Sequence, residues 1–152
     1  MEENQKKNGR IKMIWNFIRY GKCKGLCLRT LFLSAYYRVR ILMLKPAALH
    51  KTWGKRGEES PETESEDAYR YAGKVGYAVD MVCSRTRWES KCLVRALCAQ
   101  HFLKAKGISS TLYLGCGTQE GQMSAHAWLR CGRMYVTGGD GEGYAIVDKY
   151  AK

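Results

Sequence analysis

Of the seven cysteines and three histidines in this chain, one of each stands where nucleophilic catalysis can use it. Cys92 falls in the first turn of the strongest helix the sequence predicts. There, unpaired backbone N–H groups and the positive end of the helix dipole favour an anion over a neutral thiol. Lys91 and Arg95 add positive charge beside it, the setting of a thiolate nucleophile. The backbone N–H of Cys92 can itself serve as an oxyanion donor. The bland alternative is a small cysteine buried for packing.

The matching base is His126, in the run Ser124-Ala125-His126-Ala127-Trp128-Leu129. Ala125, Ala127 and Leu129 alternate with His126, Trp128 and Arg130, which predicts a strand with the imidazole on one face. A lone strand histidine is often structural, and it is the helix-start cysteine that makes this one a candidate base. His50 lies in a basic stretch, and His101 sits about 13 Å along the helix axis from Cys92, so neither serves it easily. A third group would orient the imidazole. A three-residue hairpin loop at Cys131-Gly132-Arg133 sets Arg130 opposite Met134 and His126 opposite Gly138, and a bulge or longer loop brings Asp140 opposite His126. Asp140 is therefore the preferred orienting acid, with Glu142 and Asp148 as fallbacks, although Thr137-Gly138-Gly139-Asp140-Gly141-Glu142-Gly143 also reads as a polar surface turn. Trp88, just before the nucleophile, is a candidate groove wall or oxyanion-site residue, or else a core plug ahead of the helix.

These residues need elements to hold them. Leu93, Ala96, Leu97, Ala99 and Leu103 fill one broad face of a helix that Ser90 can cap and that runs to Lys106, with Gly107 as its stop. Ahead of it, Ala68, Tyr71, Ala72, Val75, Val79 and Val82 predict a helix from Asp67 to Cys83 with acids at its start. After it, β-formers cluster at Ser110–Cys116, Ser124–Cys131, Met134–Thr137 and Tyr144–Val147, between glycine-rich turns. Helices first and consecutive strands later predict an α+β domain, a small antiparallel sheet packed on the catalytic helix. Residues 57–66, with Glu58, Glu59, Glu62 and Glu64, read as an acidic linker or solvated loop between a basic region, 1–56, and the core, 67–152.

With 152 residues and two prolines, the chain is sized for one core. An odd cysteine count without a C-x-x-C pair suits reduced thiols in a cytoplasm better than a disulfide framework or a zinc ribbon. Cys23 and Cys27 share a helix spacing, but no second pair completes a metal site, and no cofactor is expected. No secretory leader is evident. The net charge of +12 is confined to one end: residues 1–56 hold 14 Lys and Arg against two acids, and the remainder is balanced. From Ile11 to Leu44 apolar residues interleave with cations and predict two helices closed by Pro46. The longest uncharged stretch, Thr30 to Tyr37, is too short to span a bilayer. Such a basic amphipathic pattern fits a helix packed on a core, a peripheral contact with anionic lipid, or an acidic partner.

Taken together, Cys92-Leu93-Val94-Arg95-Ala96-Leu97, Leu103-Lys104-Ala105-Lys106-Gly107-Ile108, Leu112-Tyr113-Leu114-Gly115 and Ala125-His126-Ala127-Trp128-Leu129 resemble the leader peptidase of lasso-peptide biosynthesis. That peptidase belongs to the transglutaminase-like cysteine protease superfamily, and the likeness runs over roughly residues 67–150. The resemblance implies a papain-like core with a Cys92-His126-Asp140 triad. It also implies removal of a leader from a ribosomally made precursor, in the stand-alone form that works with a separate leader-recognition protein and ahead of an ATP-dependent macrolactam cyclase.

Two other readings compete. An acyltransferase would use the same triad but resolve the acyl-enzyme with an amine or thiol. A non-enzymatic basic protein would bind RNA or membrane through residues 6–56, but the aromatic residues there are spaced as helix-core residues and form no single-strand-binding platform, so no nucleic acid is expected.

Overall fold

The computed structural model describes residues 23–152. The chain opens with α1 (Lys24–Met43) and a short α2 (Pro46–His50), then β1 (Lys55–Arg56), α3 (Glu66–Cys83) and α4 (Cys92–Ala105). It closes with β2 (Thr111–Gln119), β3 (Gln122–Cys131), β4 (Met134–Thr137) and β5 (Tyr144–Ala151). The strands form one antiparallel sheet in the order β1-β5-β2-β3-β4. This mixed α+β architecture, with a catalytic-candidate helix on an antiparallel sheet, is the one the sequence predicts.

α4 is the centre of the molecule. Its residues Val94, Ala96, Leu97, Cys98, Ala99, Phe102 and Leu103 are buried on nearly every side, as expected of a helix enclosed by other elements. α1, α3 and β3 pack against it, and β4 and β2 also touch it. α3 buries Ala68, Ala72, Val75, Ala78, Val79 and Cys83 at three-, four- and seven-residue spacing. It starts one residue before the predicted Asp67: the Ser65 hydroxyl accepts from the Ala68 N–H at 3.2 Å, and Glu66 and Asp67 complement the dipole.

Several expectations are corrected. Of the stretch 11–44, predicted to hold two helices, residues 11–22 lie outside the described residues and 24–43 form α1. Pro46 does not merely close a run: it opens α2, where its missing N–H is no loss. Residues 57–65 form a mostly exposed loop, as the acidic composition predicts, and two of them are tied to the sheet. The Glu59 carboxylate pairs with Lys149 at 2.8 Å and Arg130 at 3.2 Å, and buried Ser60 bonds Thr111 through both its N–H and its hydroxyl. The β3–β4 turn has two residues rather than three. Cys131 pairs with Met134, and Gly132 takes φ +54, which a two-residue turn asks of its first central position.

Candidate active site

Cys92 is the first residue of α4, and the N-cap is Lys91, which supplies no side-chain cap. Ser90, the predicted cap, is instead buried with its hydroxyl 2.8 Å from that of Thr86. The first-turn N–H groups are thus left without a capping side chain, next to the Cys92 thiol, where an anion would be welcome. The two cations predicted to assist are each engaged. Lys91 pairs with Glu89, and Arg95 pairs with Asp80 while its Nε donates to the Ser90 carbonyl at 3.0 Å.

Cys92 and His126 line the same cleft, of about 540 Å³. α3 contributes Gly76 and Asp80 to it, and the end of β4 and the following turn contribute Thr137, Gly138 and Gly139. A larger groove of about 750 Å³, flanked by Lys51, Lys55, Lys104 and Lys152, contains neither a cysteine nor a histidine and is not the place for this chemistry. α3 and β4 meet closely at the cleft because position 76 has no side chain: a Cβ there would lie 2.5 Å from the Val136 carbonyl oxygen.

His126 is held by rings. Its imidazole lies 5.8 Å from the Trp128 ring at 23° and 4.8 Å from the Tyr144 ring. Trp128 in turn stacks on Tyr113 at 5.5 Å. Gly115, opposite His126 on β2, makes room for this stack, since a Cβ there would come within 2.8 Å of the Trp128 ring. The His126 Nε2 lies 2.6 Å from the carbonyl oxygen of Gly138. A carbonyl only accepts, so Nε2 is the donor in this pairing, and Nδ1 is the ring nitrogen left to exchange a proton with a nucleophile.

The bulge that would bring Asp140 to His126 is present, between Leu129 and Arg130, and shifts the β3–β4 register as required. The ladder then stops at Thr137, because Gly138 turns away at φ +79 and the following residues form a loop. Asp140 is exposed, and its carboxylate accepts from the Glu142 N–H at 3.0 Å, a local turn contact. Among the described residues, the partner of the imidazole is the Gly138 main chain. No side chain in the sequence signals it; the adjacent glycines at 138 and 139 are its trace.

The other candidates are dispersed. Glu142 is exposed in the same loop. Asp148 is tied to Arg56 and the Tyr150 hydroxyl, each at 2.7 Å. Burial pushes its carboxyl up, but those contacts and the Lys149 N–H outweigh it and hold it below the ordinary value. The Trp88 indole donates to Ser34 of α1 at 3.2 Å, which anchors the segment before Cys92 to that helix. His50 packs on Trp53, and His101 is exposed on α4. Cys23, Cys27, Cys83, Cys98 and Cys131 are buried, Cys92 and Cys116 only in part, and all seven are free thiols. Among the described residues no group of three His, Cys, Asp or Glu side chains is placed to hold a metal, and no helix is long and apolar enough to cross a membrane.

The sequence profile of the transglutaminase-like superfamily matches residues 33–148, so the chain belongs to that superfamily. Its members fit cysteine-protease or acyl-transfer chemistry. Neither the curated proteins nor the solved structures searched contain a match.

Proposed function

We propose that this member of the transglutaminase-like superfamily is a cysteine peptidase that removes the leader from a ribosomally made lasso-peptide precursor. What supports the reading is one observation: a thiol at an uncapped helix N-terminus and an imidazole with its Nε2 occupied by a carbonyl line one cleft. The leader specificity rests on the ordered resemblance of the segments around Cys92, Leu103, Leu112 and His126.

In this mechanism Nδ1 of His126 takes the Cys92 proton and the thiolate attacks the carbonyl at the leader–core junction. The oxyanion is met by first-turn N–H groups of α4. The imidazolium then gives its proton to the leaving amine, so the core departs with a free N-terminus while the leader stays as a thioester. A water molecule, deprotonated by His126, hydrolyses that thioester and restores the thiol. The free amine is what an ATP-dependent macrolactam cyclase acting next requires. A separate recognition protein would deliver the leader, and Asp140 would act on His126 through the loop it braces.

The test is incubation of the protein with a leader–core precursor and its recognition protein, read by intact mass. Wild type releases leader with a free carboxylate and core with a free amine, and Cys92→Ala, with unchanged circular dichroism, releases neither. Cleavage by Cys92→Ala at the wild-type rate refutes the assignment. A leader mass carrying an added amine in place of water identifies an acyltransferase instead.

A further inference from the structure

α1 has two unlike faces. Toward the core it buries Cys27, Thr30 and Ser34, with Leu33, Tyr37 and Ile41 half-buried beside them. Away from the core Leu28, Phe32, Tyr36, Val39, Leu42 and Met43 are 58%, 68%, 51%, 51%, 67% and 77% exposed. At 3.6 residues per turn these six form one stripe about 22 Å long. Scattered exposed apolar residues are ordinary, but a continuous stripe marks a surface that binds something. The outer face of this helix is thus apolar, not cationic as the alternation of apolar and basic residues suggests.

The cations sit at the margins of the stripe. By helical position Arg29 and Arg40 border one side and Arg38 the other. Arg29 lies over the Phe102 ring, Arg40 donates to the Tyr36 hydroxyl at 2.8 Å, and Arg38 pairs with Glu89 at 2.7 Å. No Asp or Glu occurs anywhere between Asn4 and Gly57. The occupant must therefore offer both an apolar layer and negative charge. A nucleic acid supplies charge but nothing to cover Leu42 and Met43. A second copy of the chain would set arginine against arginine. The boundary between acyl chains and anionic headgroups supplies both.

We propose that α1 docks flat on an anionic bilayer surface, with Phe32, Leu42 and Met43 in the acyl boundary and Arg29 and Arg40 at the phosphates. This surface stands apart from the peptidase chemistry, so either reading can fail without the other. The test is co-sedimentation of the full chain with phosphatidylcholine vesicles, with and without phosphatidylglycerol. The wild type binds vesicles containing phosphatidylglycerol, less so as salt rises, and Phe32→Glu/Leu42→Glu lowers the affinity about tenfold or more. Both side chains are exposed, so circular dichroism and Tm of the variant stay at wild-type values. Absence of sedimentation with either vesicle, or equal binding by the variant, overturns the proposal. So does self-association in free solution without vesicle binding, or capture by an acidic polypeptide alone, each of which assigns the stripe to a protein partner.

Discussion

Replacing Gly138 by Ala strikes the contact that fixes the imidazole. Gly138 adopts φ +79, and a Cβ at that position would lie 2.5 Å from the Ala127 carbonyl oxygen and 2.9 Å from the Trp128 Cα. The left-handed backbone alone costs an alanine about 1–2 kcal/mol, and forcing backbone atoms apart adds about 1–3 kcal/mol. For a chain of this size the sum lowers Tm by about 4–20 °C. The larger effect is on rate, because moving the carbonyl off Nε2 misplaces the base, and a displacement near 1 Å can slow the reaction about a hundredfold. Gly139→Ala is the matched control: its φ is +71, but nothing lies within 4 Å of the added Cβ. It should lose stability by the backbone amount only and keep most of its activity. Thermal melts and precursor cleavage on the two variants measure both effects. A Gly138→Ala enzyme that melts early yet cleaves within a few-fold of wild type would show that this carbonyl does not position His126.

Other outcomes follow from neighbouring contacts. Asp140→Asn keeps an acceptor for the Glu142 N–H, so cleavage should fall by less than about tenfold, whereas loss of a true triad acid costs about four orders of magnitude. A loss that large would return the orienting role to Asp140. The hydrogen bond from Lys149 to Glu59, aided by the charges of Lys149 and Arg130, holds the Glu59 carboxyl below its ordinary 4.5. A carboxylate lowered in the folded state stabilises above its unfolded value and loses that contribution as pH falls through the folded one. Glu59→Gln should therefore flatten the decline in Tm below about pH 4.5, by less than about 1 kcal/mol for so exposed a pair; an unchanged acid limb contradicts this. Gly76→Ala should push α3 off the Val136 carbonyl, lowering both Tm and cleavage, and wild-type behaviour would mean the cleft wall yields freely.

The sequence exposes the scaffold more fully than the site. α3 and α4 are legible because their buried residues repeat at helical spacing, and β3 because alanine and leucine alternate with His126, Trp128 and Arg130. The hidden features arise from long-range contacts. β1 joins the sheet through Lys55 and Arg56, which carry no apolar pattern and gain their place from pairing with Tyr150 and Ala151. Ser90 looks like a cap, but its hydroxyl meets Thr86 four residues earlier. The Gly138 carbonyl has no side-chain signature at all, and the ladder's end at Thr137 depends on how Gly138 and Gly141 accommodate Trp128. The outward apolar face of α1 is hidden by the same apolar–basic alternation that a packed helix shows.

If Cys92 and His126 act as nucleophile and base, competitive alkylation will reveal the pair. Substoichiometric iodoacetamide is added to the native protein across a pH series, followed by peptide mapping. Five of the other cysteines are buried, so Cys116, partly exposed like Cys92, is the internal standard. Cys92 should be alkylated well ahead of Cys116, and His126→Ala should remove the advantage. Equal labelling of the two in wild type, or an advantage that survives His126→Ala, would contradict the pairing.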